Sequence, residues 1–164
     1  MTILEVGTWT AYRAVDLLAY APNKAMYYGF DLFEDMTEEL DKAEFNVKHH
    51  VPMHAADAYL GVFPHELIKG NTHDTLPEFV KRDIKIDFAF IDGGHSEETI
   101  RSDFDSVRKM MNKGGMIILD DYYTPPIKGK GCNEIVKDVE HELLPEKDKI
   151  PKTKIGVQMV MVKT

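Results

Sequence analysis

The chain has 164 residues, 43% of them hydrophobic, which is enough for one globular domain with its own core and indicates no second one. Its formal net charge is −8, from 28 acidic against 20 scattered basic residues, so long nucleic acid and anionic membranes are disfavoured as partners. A single cysteine, Cys132, excludes an internal disulfide and a thiolate metal cluster, and with no signal-like or 20-residue apolar run the expected setting is the cytoplasm.

A short strand opens the chain at Ile3-Leu4-Glu5-Val6-Gly7, followed by Thr8-Trp9-Thr10 and a helical pattern from Ala11 to Tyr20. Glu5 and Gly7 fall at the carboxyl end of that strand, where a helix amino terminus and bare backbone can receive a polar ligand. Met26 to Phe30 forms a second apolar run ending in Asp31. An acid about 20 to 25 residues after a strand-glycine turn is where nucleotide-binding α/β units hold ribose hydroxyls. An acidic run from Glu34 to Glu44 reads as a solvated helix or loop. His49, His50 and His54 follow it without a carboxylate or thiolate at zinc-site spacing, and are expected on the surface.

A helical stretch spans Met53 to Leu60, and a third strand, Glu66 to Lys69, leads into the polar turn Gly70-Asn71-Thr72. Helix-start signals at Asp74-Thr75 then precede the apolar stripe Leu76, Phe79 and Val80. Ile86 to Ile91 and Met116 to Leu119 are almost continuously apolar, as strands buried on both faces of a parallel sheet should be. Between them Ile100, Phe104, Val107 and Met111 recur at helical spacing, with Gly114-Gly115 expected to close the helix.

A right-handed crossover sets these two strands side by side, so Asp92 after one and Asp120-Asp121 after the other meet at a single rim. Three carboxylates at close range either raise one another's pKa or recruit a hard cation such as Mg²⁺; equally, strand-end aspartates serve as caps for the next turn. His95, three residues past Asp92, has the chemistry of a general base near pH 7, and its position also suits a helix cap. Beyond it, Tyr122 to Gly131 is a Pro/Gly-rich loop placed as a substrate lid, Asn133 to Leu144 a last amphipathic helix, and Lys154 to Lys163 a terminal strand, one arm of a hairpin.

The alternation of strands and helices resembles the class I S-adenosylmethionine-dependent methyltransferases across nearly the whole chain. Glu5-Val6-Gly7-Thr8 is similar to that family's first motif, Asp31 to its ribose-binding acid and Gly70-Asn71-Thr72 to the turn beside the adenine. FIDGGHSEE and GGMIILDDY resemble the metal-dependent O-methyltransferases of the macrocin and cephalosporin-tailoring type. The resemblance implies a Rossmann-like, doubly wound α/β fold: a mostly parallel seven-stranded sheet with helices on both faces and an antiparallel last strand. It implies S-adenosylmethionine contacts at Glu5, Gly7, Thr8, Trp9, Asp31, Asn71, Thr72 and Asp92, and a divalent cation at Asp92, Asp120 and Asp121. Catalytic roles then fall to His95 and Asp92, and the acceptor is a hydroxylated small molecule.

Trp9-Thr10-Ala11 stand where the family's later glycines fall, which implies a different contact with the methionine part of the cofactor. Relatives carry helices before the first strand that roof the cofactor; a sheet starting at the first residues is expected to borrow a roof as a homodimer. Two other readings stay open: a non-catalytic cofactor-binding or assembly module, and a nicotinamide oxidoreductase. The second lacks G-x-G-x-x-G and gives Asp120-Asp121 no role.

Overall fold

A computed structural model describes residues 1–22, 24–44, 50–145, 148–149 and 155–164. The elements in chain order are β1 Thr2–Val6, α1 Tyr12–Tyr20, β2 Met26–Asp31, α2 Glu38–Ala43, α3 Met53–Leu60, β3 His65–Lys69, α4 Thr72–Val80, β4 Ile86–Ile91, α5 Glu97–Met110, β5 Met111–Thr124, α6 Asn133–Val136, β6 His141–Leu143, β7 Asp148–Lys149 and β8 Gly156–Lys163. They build one mixed sheet in the order β3-β2-β1-β4-β5-β8-β6, with the two-residue β7 also paired to β8. β1 to β5 are parallel neighbours, whereas β8 runs antiparallel to β5 and β6, as expected of the last strand.

The alternation of side chains along a strand decides which layer each residue joins. In β1, Leu4 and Val6 face the larger core with Phe79 of α4 and Ile100, Phe104 and Val107 of α5. Ile3 faces the smaller core with Ala14 and Leu18 of α1 and Ala56 and Leu60 of α3. Phe30 and Phe79 meet edge to face at 5.1 Å, and burying each such ring contributes about 1.5 to 3 kcal/mol. α5 is the best-signalled helix. The Ser96 hydroxyl accepts from the Thr99 amide, Glu97 and Glu98 lie in its first turn, and Arg108 and Lys109 in its last, all in accord with the helix dipole.

Three expected boundaries move. α5 ends at Met110, and β5 begins at once rather than after Gly114-Gly115. The reason is long-range: Met111 pairs with Ile86, the Asn112 side-chain Nδ2 donates to Asp87 Oδ1 (2.7 Å), and the Thr164 hydroxyl donates to the Asn112 carbonyl (2.9 Å). β5 also runs on to Thr124, paired with Gly156, so the Pro/Gly loop is shorter than expected. Its remainder is tied down, with the Glu97 amide donating to the Gly129 carbonyl and the Gly131 amide to that of His95, which is an anchor rather than a free lid. The final helix stops at Val136, and His141–Leu143 becomes a strand because β8 offers it a backbone ladder. His49 and Lys154 lie outside the described residues. Among the described residues, no helix is long and apolar enough to cross a membrane.

Candidate active site at the carboxyl rim of the sheet

Connections from β1 run outward to β2 and β3, while β4 and β5 lie on its other side, so the strand order reverses at the β1–β4 pair. In open α/β sheets ligands bind at such a reversal, beyond the strands' carboxyl ends. A cleft sits there, lined by Gly7 and Trp9 after β1, Asp31 and Leu32 at and after β2, Gly70 to His73 after β3 and Asp92 to His95 after β4. Met36, Leu40, Glu44 and His50 form its other wall. Gly7 has φ +87°, and a Cβ on it would overlap the Asp92 carbonyl, so only glycine lets the β1 and β4 turns approach this closely.

Asp31 takes two backbone amides, Trp9 on Oδ2 (2.7 Å) and Phe33 on Oδ1 (2.8 Å). A carboxylate has about four lone-pair positions and can serve several donors at once. The Asn71 side chain caps α4 by accepting from the His73 amide (3.0 Å), and Thr72 and Asn71 line the cleft.

Glu5 and Thr8 are placed differently. Both are buried and neither lines the cleft, because Glu5 points to the α1 face, opposite to Leu4 and Val6. There its carboxylate accepts from the Tyr27 hydroxyl (2.5 Å) and from Arg13 (3.2 Å), while the Thr8 hydroxyl lies 3.2 Å from that of Tyr27. Burial pushes Glu5 up to about 7, against the pull of Tyr27 and Arg13. Arg13 also donates to Asp92 Oδ2 (2.8 Å) and lies 4.1 Å over the Phe90 ring. The sequence reading missed Arg13; its one signal is a cation three residues into an otherwise apolar helix face opposite Glu5.

At the other end of the cleft, Asp92, His95 and Asp121 each offer one ligand atom, all within 4.8 Å of one another and half-buried. His95 Nε2 lies 3.0 Å from Asp121 Oδ2, and His95 Nδ1 donates to the Glu44 carbonyl (2.9 Å). Asp121 sits at a bulge where the β5–β8 register shifts, with φ +64°, a conformation that costs a non-glycine residue about 1 to 2 kcal/mol. That turn aims its carboxylate at the rim. Gly131 is needed behind it, because a Cβ there would overlap the Asp121 carbonyl. Burial raises the Asp121 pKa, with Asp120 and Asp92 adding to it and His95 opposing. Asp120 is also buried, and its Oδ1 accepts from the Asp121 amide (2.9 Å).

This set fits a divalent cation. Neighbouring ligands of an octahedral ion held at about 2.1 Å stand about 3.0 Å apart, which is the His95–Asp121 separation, and a small closure brings in Asp92. Glu44, at the end of the run expected to be solvated, instead binds the start of α5. Its carboxylate accepts from the Ser96 amide (3.0 Å) and the Thr99 hydroxyl (2.7 Å). His50 and His54 are exposed, as expected, though His50 also borders the cleft. Asp103, on α5 behind Gly93, is fully buried, and burial pushes it up to about 7 against the pull of Thr72 and His73.

The sheet order, the reversal at β1–β4 and the antiparallel last strand define a Rossmann-like methyltransferase fold of class I. The chain belongs to the methyltransferase domain family, whose pattern covers residues 4–122. Among solved structures it is similar to the O-methyltransferase NovP (TM-score 0.67, 19% identity, 99% of this chain and 71% of that one). It is also similar to an rRNA methylase of Streptococcus thermophilus (TM-score 0.65, 14% identity, 99% and 86% covered). At these identities the likeness concerns the fold. An uncharacterised protein of Acanthamoeba polyphaga mimivirus is 38% identical over 71 residues, which is 41% of this chain and 29% of that relative's length.

Proposed function

We propose that this chain binds S-adenosylmethionine in the rim cleft and methylates an oxygen of a hydroxylated small molecule with the help of a divalent cation. The observation that carries the reading is that one cleft joins both chemistries: Asp31 lines it at one end, and Asp92 and His95 line it at the other as members of the convergent cluster. When bound, the cofactor supplies an activated methyl group and the cation makes a nearby hydroxyl more acidic. Asp31 takes the ribose hydroxyls, Gly7 admits the ligand to the backbone, and Trp9, Asn71 and Thr72 wall the cleft around it. Asp92 and Asp121 hold the cation, with Asp120 supporting Asp121. The His95 imidazole and the Asp92 carboxylate are the two basic groups of the cluster that would take the acceptor's proton. The −8 net charge favours a small acceptor over a polyanion.

Calorimetry with S-adenosylmethionine tests the first half. Asp31→Ala removes charge-assisted bonds of about 1.5 to 3 kcal/mol, so affinity should fall at least tenfold; equal affinity defeats the ribose assignment. Excess chelator tests the second half, and should stop methylation of hydroxylated acceptors while leaving cofactor affinity unchanged. Tight cofactor binding with no turnover on any hydroxylated acceptor would instead favour a non-catalytic module.

A further inference from the structure

We propose that the acidic segment from Met36 to Glu44 encloses the adenosine part of the cofactor, with Met36 and Leu40 as binding contacts and Glu44 as the positioning residue that holds the segment in place. This deepens the cofactor part of the proposed function and rests on it.

Composition alone sends this stretch to solvent, yet it has an inner side. Leu40 and Glu44 lie one turn apart along α2 and its carboxyl cap, and with Met36 just ahead of the helix they line the cleft, whereas Glu38, Glu39 and Lys42 are exposed. α2 has six residues and buries none of them. A helix this short does not persist in water without tertiary support.

That support is polar and sits at the two ends. Ahead of α2, Glu34 accepts from the Met53 amide (2.9 Å) and from Lys69 (3.0 Å), and the Thr37 hydroxyl caps the helix by accepting from the Leu40 amide (3.2 Å). Behind it, the Glu44 carboxylate accepts from the Ser96 amide (3.0 Å), the Ser96 hydroxyl (3.2 Å) and the Thr99 hydroxyl (2.7 Å). The Glu44 carbonyl accepts from the His95 amide (3.2 Å) and from His95 Nδ1 (2.9 Å). The segment therefore leaves the sheet after Asp31 and is fastened beyond β4, at the start of α5, so that it spans the cleft between those points.

Met36 and Leu40 are half-buried and, among the described residues, belong to neither core. Two apolar side chains held over a cleft by polar anchors need an apolar surface to cover. The ribose and the methionine part of the cofactor are polar, and the faces of the purine are its one large apolar surface. A thioether and a branched aliphatic group both pack well on such a ring. Leu32 and the bare backbone of Gly93 and Gly94 line the same cleft, which adds apolar surface and room for a flat base.

The probes are S-adenosylhomocysteine and methylthioadenosine, which share the adenosine and differ in the amino-acid part. With the full chain, calorimetry gives affinities, and fluorescence of Trp9, the single tryptophan and a cleft residue, gives rates. Leu40→Ala should weaken both ligands by the same factor, about five- to tenfold. Glu44→Ala should raise both dissociation rates about tenfold, leave association within about threefold, and speed amide exchange from Met36 to Glu44. Glu44→Gln, whose side-chain oxygen still accepts from Ser96 and Thr99, should recover much of the wild-type dissociation rate. Glu39→Ala, on the exposed side of α2, should match the wild type, and circular dichroism should show every variant folded. If the wild type binds both ligands and Leu40→Ala and Glu44→Ala release them at its rate, or if Leu40→Ala weakens S-adenosylhomocysteine alone, the enclosure is overturned while the cofactor site stands. If the wild type binds neither ligand, the cofactor reading falls and the enclosure falls with it.

Discussion

The two ends of the cleft are organised by different physics. At the β2–β3 end, polar side chains are tied to backbone amides close by in the chain or across one strand: Asp31 accepts from Trp9 and Phe33, and Asn71 from His73. At the β4–β5 end, carboxylates meet basic side chains far away in sequence, Asp92 meeting Arg13 and Asp121 meeting His95, over a backbone turned to φ +64°. The first arrangement resembles a set of caps and tolerates an empty site. The second concentrates like charge and strain, which a fold keeps where a ligand or ion is to be received.

Removing the Arg13 guanidinium, which ties Glu5 of β1 to Asp92 at the β4–β5 end, should have the largest effect. Arg13→Met leaves Glu5 buried and Asp92 without its guanidinium, and should lower stability in urea by about 3 to 5 kcal/mol. Adding Glu5→Gln should restore much of that loss. A single variant within about 1 kcal/mol of wild type would show that the network is dispensable.

Cutting the β4–β5 end alone should leave the β2–β3 end untouched. Asp121→Asn should lower turnover by about a hundredfold or more while cofactor affinity stays within about threefold. A matching drop in cofactor affinity would mean that the two ends are not separable.

The smallest effect concerns the floor beneath them, where Asp103 packs near Thr72, His73 and Glu44. Its pKa moves from 3.8 to about 7, so the folded protein retains a proton that the unfolded chain releases. Stability contributed by this residue therefore falls as pH rises from about 4 to about 7, and stays low above that. Glu5 adds a trend of the same sign. Asp103→Asn should flatten its share and raise stability at pH 8 by about 1 to 3 kcal/mol, read from denaturation at pH 5 and 8. A pH dependence identical to that of wild type would place Asp103 in a wetter setting than its burial indicates.

The sequence carried what local chemistry can encode. Short continuous apolar runs marked β2, β4 and the middle of β5, a period of 3.6 marked α5, and one crossover was enough to bring Asp92 and Asp121 to the same rim. Asp31 was legible because a strand-end acid after a glycine turn has a fixed place in such sheets. Tertiary structure alone decided the rest. Glu5 and Asp31 both end strands, yet the pleat turned Glu5 toward α1 and left Asp31 in the cleft. The last helix yielded to β6 because an open edge on β8 outweighs a weak local preference. Glu44 looked like one more solvated acid, and became the support of His95 and the start of α5 only when the chain folded back some 50 residues onto itself. Hydrogen bonds and ion pairs at such separations leave no periodic trace, because nothing in the spacing of residues says which distant partner will satisfy a buried charge.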